Sequence, residues 1–219
     1  MTEQPCRTLD WAEYKRRGHF EYFSSFGNPY VSVTANRDIT LLRRHAKEAG
    51  RPFFLTALYA LGRAANSVPE FRQRVKDGRI VEFDDCPSSY TVALPDGTYC
   101  YCEADTRLPY ERFILEAQKK QDDAVHNPSI EESDPLPLFF VSSLPWLSFT
   151  SLALPTPTPA DYNPRLTLGR FFAENGKTLL PVSVCVNHAL IDGKQIADFY
   201  DAFDRETAAL AGLIAQGAS

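Results

Sequence analysis

Three turn signals, each set between short alternating apolar runs, decide most of what this chain can fold into. Phe71–Phe83 (FRQRVKDGRIVEF) is broken at Lys76-Asp77-Gly78. Tyr90–Leu94 and Thr98–Cys102 flank Pro95-Asp96-Gly97, and Leu166–Phe172 and Thr178–Val186 flank Glu174-Asn175-Gly176-Lys177. Asp-Gly and Asn-Gly accept the positive φ of a tight β-turn, so each signal predicts an antiparallel hairpin. Further strands are expected at Tyr30–Ala35, Leu138–Ser142 and Leu147–Leu152. Leu154–Arg165 (LPTPTPADYNPR) holds four prolines and is expected to be a loop, because proline donates nothing to a strand ladder. Helical spacing covers four segments: one capped by Asp38 and ended by Gly50, Phe53–Asn66, Leu108–Val125 and Gln195–Ile214. Phe53–Asn66 (FFLTALYALGRAAN) is apolar on most sides and predicts a buried helix. Strands mixed with segregated helices predict an α/β (α+β) fold, a mixed sheet flanked by helices, in one domain over residues 1–219.

The chain's 219 residues suffice for a sizeable core. Its formal charge is -5, with both signs spread along it, and no basic block could track phosphates, so nucleic acid is not an expected partner. No apolar run approaches the roughly 18 residues of a membrane span, and the N-terminal residues lack an apolar signal-peptide core. Five irregularly placed cysteines point to reduced thiols and a cytoplasmic protein. Cys100-Tyr101-Cys102 puts two thiols on one face of a strand. With no second pair or nearby histidine they are expected to be packing thiols, and no metal is expected.

Among four histidines, His19 lies in the basic, aromatic segment Leu9–Phe23, while His45 and His126 sit in polar helical contexts. His188 differs, because it follows the most apolar strand of the chain and precedes a reversal at Asp192-Gly193. A partly desolvated imidazole held there suits a general base near neutral pH. Alone, it equally suits a strand-end histidine satisfying a local hydrogen bond. In His188-x-x-x-Asp192-Gly193 the carboxylate lies one turn away, where it can fix the backbone or pair with an arginine.

Five ordered blocks carry a resemblance over nearly the whole length: YKRRGHFEYF (Tyr14–Phe23), PEFRQRVKDGRIVEFDD (Pro69–Asp85), YTV (Tyr90–Val92), VSSLPWLSFTS (Val141–Ser151) and LPVSVCVNHALIDG (Leu180–Gly193). They resemble the trimeric, acetyl-CoA-dependent chloramphenicol acetyltransferase family. The resemblance implies a CoA-dependent acyltransferase fold, a homotrimer with sites between subunits, and an antibiotic-resistance enzyme that moves acetyl to a hydroxyl of chloramphenicol in a ternary complex. It implies that His188 is the base, that Ser142 stabilises the oxyanion, with Ser143 as a lesser candidate, and that Asp192 pairs with Arg16, or with its rival Arg17. It places Arg170, Trp146 and Thr167 toward the cosubstrate, with Arg51 a weaker phosphate candidate, and Phe23, Tyr99 and Cys185 toward the acceptor. The chain departs from the family at Asn187, Cys185, Lys194 and Gln195. Those departures leave room for another alcohol acceptor or acyl donor on the same fold. A non-catalytic trimeric binding protein is the remaining alternative, and the joint presence of His188, Asp192, Gly193, Ser142 and Arg16 argues against it.

Overall fold

At Asp77-Gly78 and Asn175-Gly176 both residues of each pair have positive φ, 51° and 73° in the first and 50° and 76° in the second. These are mirror-image turns whose twist matches that of the flanking strands. The computed structural model describes residues 4–132 and 134–217. Asp77-Gly78 joins β3 (Gln73–Lys76) to β4 (Arg79–Phe83), and Asn175-Gly176 joins β9 (Phe172–Glu174) to β10 (Lys177–Asn187). The middle turn joins β5 (Ser88–Ala93) to β6 (Tyr99–Ala104). There Asp96 Oδ1 accepts hydrogen bonds from the Thr98 N–H and hydroxyl, at 2.9 and 2.6 Å.

Other elements are β1 (Cys6–Thr8), α1 (Arg17–Phe23), β2 (Tyr30–Asp38), α2 (Thr40–Glu48) and α3 (Phe53–Asn66). They are completed by α4 (Tyr110–His126), β7 (Phe139–Leu144), β8 (Arg165–Gly169) and α5 (Gly193–Gly217), with a single 3-10 turn over Pro69–Arg72. The main sheet runs β2-β10-β8-β7-β5-β6, with β9 also on β10, and β1-β4-β3 form a small separate sheet. β5–β7 and β7–β8 are parallel and the other pairs antiparallel, so the sheet is mixed, as expected. Leu180, Val182, Val184 and Val186 of β10 join a core with Phe199 and Phe203 of α5 and most of α3. Side chains alternate along a strand, so Ser183, Cys185 and Asn187 lie on the opposite face. Asp38 Oδ1 accepts from Thr40 N–H at 3.0 Å at the start of α2, and Gly50 (φ 65°) follows its end.

Two expected strands differ. Leu147–Leu152 forms none: the chain turns at Pro145-Trp146, the Leu147 N–H returns to the Leu144 carbonyl at 3.1 Å, and no ladder follows. Leu166–Phe172 is split, because the Arg170 N–H goes to the Leu147 carbonyl at 2.7 Å and β8 ends at Gly169. β1 was not expected, being three exposed residues.

A fully buried arginine fixes the approach to β7. Arg74 donates to the carbonyls of Leu136 and Leu138, each at 3.0 Å, and to those of Phe71 and Gln73, each at 2.7 Å. From the other side Asn163 Nδ2 donates to the carbonyls of Pro135 and Leu138, each at 2.8 Å. Burial pulls the Arg74 pKa down, and no carboxylate among the described residues bonds to it; backbone dipoles solvate the charge.

Candidate active site

β10 leaves the core at Asn187 and closes into a tight turn that carries His188. The Asn187 carbonyl accepts from the N–H groups of Leu190 and Ile191 at 3.2 and 3.1 Å, and Asn187 Oδ1 accepts from Ala189 N–H at 3.0 Å. This is an Asx turn, a conformation asparagine favours for itself. The turn brings the Ile191 carbonyl to 3.0 Å from His188 Nδ1. A carbonyl only accepts, so Nδ1 carries the proton and the Nε2 lone pair is left free. Nε2 has no partner among the described residues. The ring stacks on Phe23 of α1, with centroids 4.0 Å apart and planes 25° from parallel. His188 is half-buried, its N–H anchored on the Pro29 carbonyl at 2.8 Å.

Arg16 braces the turn, pairing with Asp192 and donating to the His188 carbonyl at 3.3 Å. Arg17 does not compete, since it pairs with Glu21 at 3.1 Å and lies over Trp11. Burial alone would raise the Asp192 carboxyl, but hydrogen bonds from Arg16 and from Lys194 N–H outweigh it and hold the group below the usual carboxylate range. Asp192 also caps α5. Its Oδ1 accepts from Lys194 N–H at 2.9 Å, while Gln195 Oε1 accepts from Asp192 N–H at 3.0 Å. Asp192-x-x-Gln195 is a capping box, a pattern visible in the sequence.

The sequence departures thus sit in or beside the turn that carries His188. Gln195 caps, Lys194 is exposed and pairs with Asp198, and Asn187 is buried in the turn. Cys185 is buried too, opposite Ser32 and Arg165 in register.

Ser142 lies elsewhere. It stands beside Thr167, which stands beside Ser183, which faces Thr34, a row of hydroxyls across four strands. Thr34 donates to Ser183 Oγ at 3.1 Å, while Thr167 Oγ1 is buried without a partner. Ser143 follows on the other face of β7. Five residues along β10 and two strands across separate His188 from Ser142, about 19 Å at ordinary strand spacings. Tyr99, on edge strand β6, is exposed and packs on Tyr101, four strand positions from β10. One chain therefore groups His188, Phe23, Arg16 and Asp192, and separately Ser142 and Thr167.

Near the end of β8, Arg170 and Trp146 are exposed, and the Ser148 hydroxyl donates to the Arg170 carbonyl at 2.7 Å. Arg51 is held by Glu111 at 2.7 Å. Arg43, which the sequence did not single out, lies 5.5 Å and 5.0 Å from the ring centres of Phe53 and Phe171, its Nε buried and unpartnered. Only the fold brings α2, α3 and the β8–β9 break together. Among the described residues no cluster of His, Cys, Asp and Glu could hold a metal ion, and no helix is long and apolar enough to cross a membrane.

The fold matches a solved chloramphenicol acetyltransferase with a TM-score of 0.82 at 27% identity, over 92% of this chain and 99% of that one. It also matches the cubic core of the pyruvate dehydrogenase multienzyme complex with a TM-score of 0.64, at 17% identity and over 97% and 99% of the two chains, a likeness of fold alone. The chain is an acyltransferase of this fold. A chloramphenicol acetyltransferase family model matches residues 5–204, and the chain belongs to that family. Relatives include the chloramphenicol acetyltransferases of Proteus mirabilis (31% identity, 84% of this chain and 87% of the relative) and Clostridium perfringens (32%, 88% and 90%).

Proposed function

We propose that this chain, one domain over residues 1–219, transfers acetyl from acetyl-CoA to a hydroxyl of chloramphenicol, in a ternary complex and with His188 as general base. The observation that carries the reading is the free Nε2 of a ring held from behind at Nδ1 and on its face by Phe23. Nε2 accepts the proton of the acceptor hydroxyl as that oxygen attacks the thioester carbonyl carbon. The Ser142 hydroxyl donates to the oxyanion that forms. As the C–S bond breaks, Nε2–H returns its proton to the departing thiolate, so the base is restored and the acetyl ester leaves. Acetyl-CoA supplies the activated acyl group. Arg170 and Arg43, with Phe53, Phe171 and Trp146, offer cations and aromatic faces suited to its phosphates and adenine.

The separation of His188 from Ser142 within a chain supports a site shared between copies, and we take the assembly to be a homotrimer in the cytoplasm. Phe23 lines the acceptor side of the base, Cys185 is buried earlier on β10, and Tyr99 would join the pocket from a neighbouring copy. The test is CoA thiol release from acetyl-CoA with and without chloramphenicol. Chloramphenicol-dependent release is expected to fall at least ~100-fold in His188→Ala, the usual range for a lost general base. Near-normal activity in that variant rejects His188, and a wild type inert with chloramphenicol but active with another alcohol reassigns the acceptor.

A further inference from the structure

The turn that carries His188 is tied to a second part of the chain by the side chain next to it. Asn187 Oδ1 serves the turn, accepting from Ala189 N–H, and any Asx or Ser/Thr residue could do that. Its Nδ2 does something more, donating to the Asp161 carbonyl at 2.8 Å. Aspartate or serine could not make both bonds in this way, because one lacks a donor and the other has a single oxygen. Asn187 is 2% exposed, so neither bond is replaced by bulk water.

The far end of this tie is itself held firmly. Arg165 grips the Asp161 carboxylate as a fork, Nη1 to Oδ1 at 2.8 Å and Nη2 to Oδ2 at 2.7 Å. The Tyr30 hydroxyl donates to Asp161 Oδ1 at 2.9 Å and accepts from Asp161 N–H at 2.9 Å. Burial, with the Asp161 hydrogen bond next, pushes the Tyr30 pKa up, so it remains a donor. Arg165 lies over the rings of Tyr30 and Phe140, and Tyr30 stands opposite Asn187 across β2 and β10. Asp161 lies in the proline-rich loop, which among the described residues shares no other side-chain bond with the base's turn.

We propose that Asn187 is a positioning residue for His188, clipping the base's turn to the Asp161–Arg165–Tyr30 cluster and so holding the Ile191 carbonyl where it fixes the Nδ1–H tautomer. The chain of contacts is continuous. Asp161 fixes the Asn187 carboxamide, which fixes Ala189 N–H, and the Asn187 carbonyl holds Ile191 N–H, whose own carbonyl meets His188 Nδ1. The kinetic readout below rests on the proposed acetyl transfer, while the spectroscopic one does not.

Two variants separate the parts. Asn187→Ala removes both the cap and the tie. Asp161→Ala leaves the cap and the acceptor carbonyl but frees the loop from Arg165 and Tyr30. Ring-nitrogen NMR of His188, assigned against His188→Ala, is expected to show the single Nδ1–H tautomer in the wild type. It is expected to show a mixture of tautomers in Asn187→Ala and a smaller admixture in Asp161→Ala, both folded by circular dichroism. In acetyl transfer, kcat is expected to fall about tenfold or more in Asn187→Ala, as for a misplaced reacting group. KM for acetyl-CoA should stay within about twofold, and the double variant should be no worse than Asn187→Ala. An unchanged tautomer in both variants overturns the proposal whether or not the protein transfers acetyl, and so do additive kcat losses. A wild type inert with acetyl-CoA overturns only the reaction, and the NMR then decides the positioning alone. Should Asn187→Ala fail to fold, Asp161→Ala decides by the same two readouts.

Discussion

Mixing two inactive variants tests whether the site is built from two chains. His188 and Ser142 lie about 19 Å apart in one chain, from five residues along β10 and two strand spacings across, far beyond the reach of two side chains toward one acyl group. If both act in the reaction, each site takes His188 from one copy and Ser142 from the next. His188→Ala should retain about 1% of activity, and Ser142→Ala about 1% or less, as for a lost oxyanion donor. In a closed ring of heads meeting tails, an equal random mixture places a chain with intact His188 against one with intact Ser142 at about one interface in four. Co-refolding the two chains should therefore restore about a quarter of wild-type activity, whatever the number of subunits. CoA thiol release on the mixture, against each parent and refolded wild type, reads this directly. A mixture no better than the mean of its parents, with wild type recovering fully, refutes the shared site or the role of Ser142.

Two further outcomes follow from single residues. Asp192→Ala strips Arg16 of its carboxylate and α5 of its cap, which should cost about 2 kcal/mol for a partly exposed pair, below the buried-pair range, and lower kcat as the turn loosens. Because the Asp192 pKa is depressed in the folded state, its contribution is full above the unfolded carboxylate value and lost as pH falls through the lower folded value. Wild type and variant should thus converge in urea midpoint toward acid pH, and a gap independent of pH would count against the pair. Gly62→Ala should lower stability by about 1–3 kcal/mol, because a Cβ there would sit 2.7 Å from Thr106 Cγ2 and 3.3 Å from Ser88 Oγ, where α3 meets β5. A thermal midpoint unchanged by that substitution would show that Thr106 yields freely.

The hairpins were legible because Asp77-Gly78 and Asn175-Gly176 need backbone that few other pairs accept, and the bounds of α3 because its apolar surface runs nearly all round. Leu147–Leu152 has strand composition and no strand, since one bond from Arg170 satisfies Leu147 and ends β8 as well. Composition cannot show where a neighbour's N–H will go. At the site, the motif around His188 could be read and its bracing by Arg16 anticipated. The Gln195 cap is legible in Asp192-x-x-Gln195, whereas the tie from Asn187 to Asp161 is not, because only the fold brings those two residues together. Arg43 and the Asp161–Arg165–Tyr30 cluster were out of reach, because residues far apart in the chain meet there only through the sheet order.

β2 ends the main sheet, and its outer side has no strand partner among the described residues. Its middle, Val31 to Asn36, carries no charge, and Val33 is 38% exposed. Natural sheets blunt such an edge with lysine, proline or a bulge, or cover it. Here the charges stand only at one end, at Arg37 and Asp38. If copies of the chain assemble over this edge, assembly would also keep a ready template for β-pairing away from other chains. Diluting such an assembly until it comes apart would expose that template, so activity lost on dissociation would pass into aggregates and return only in part on reconcentration.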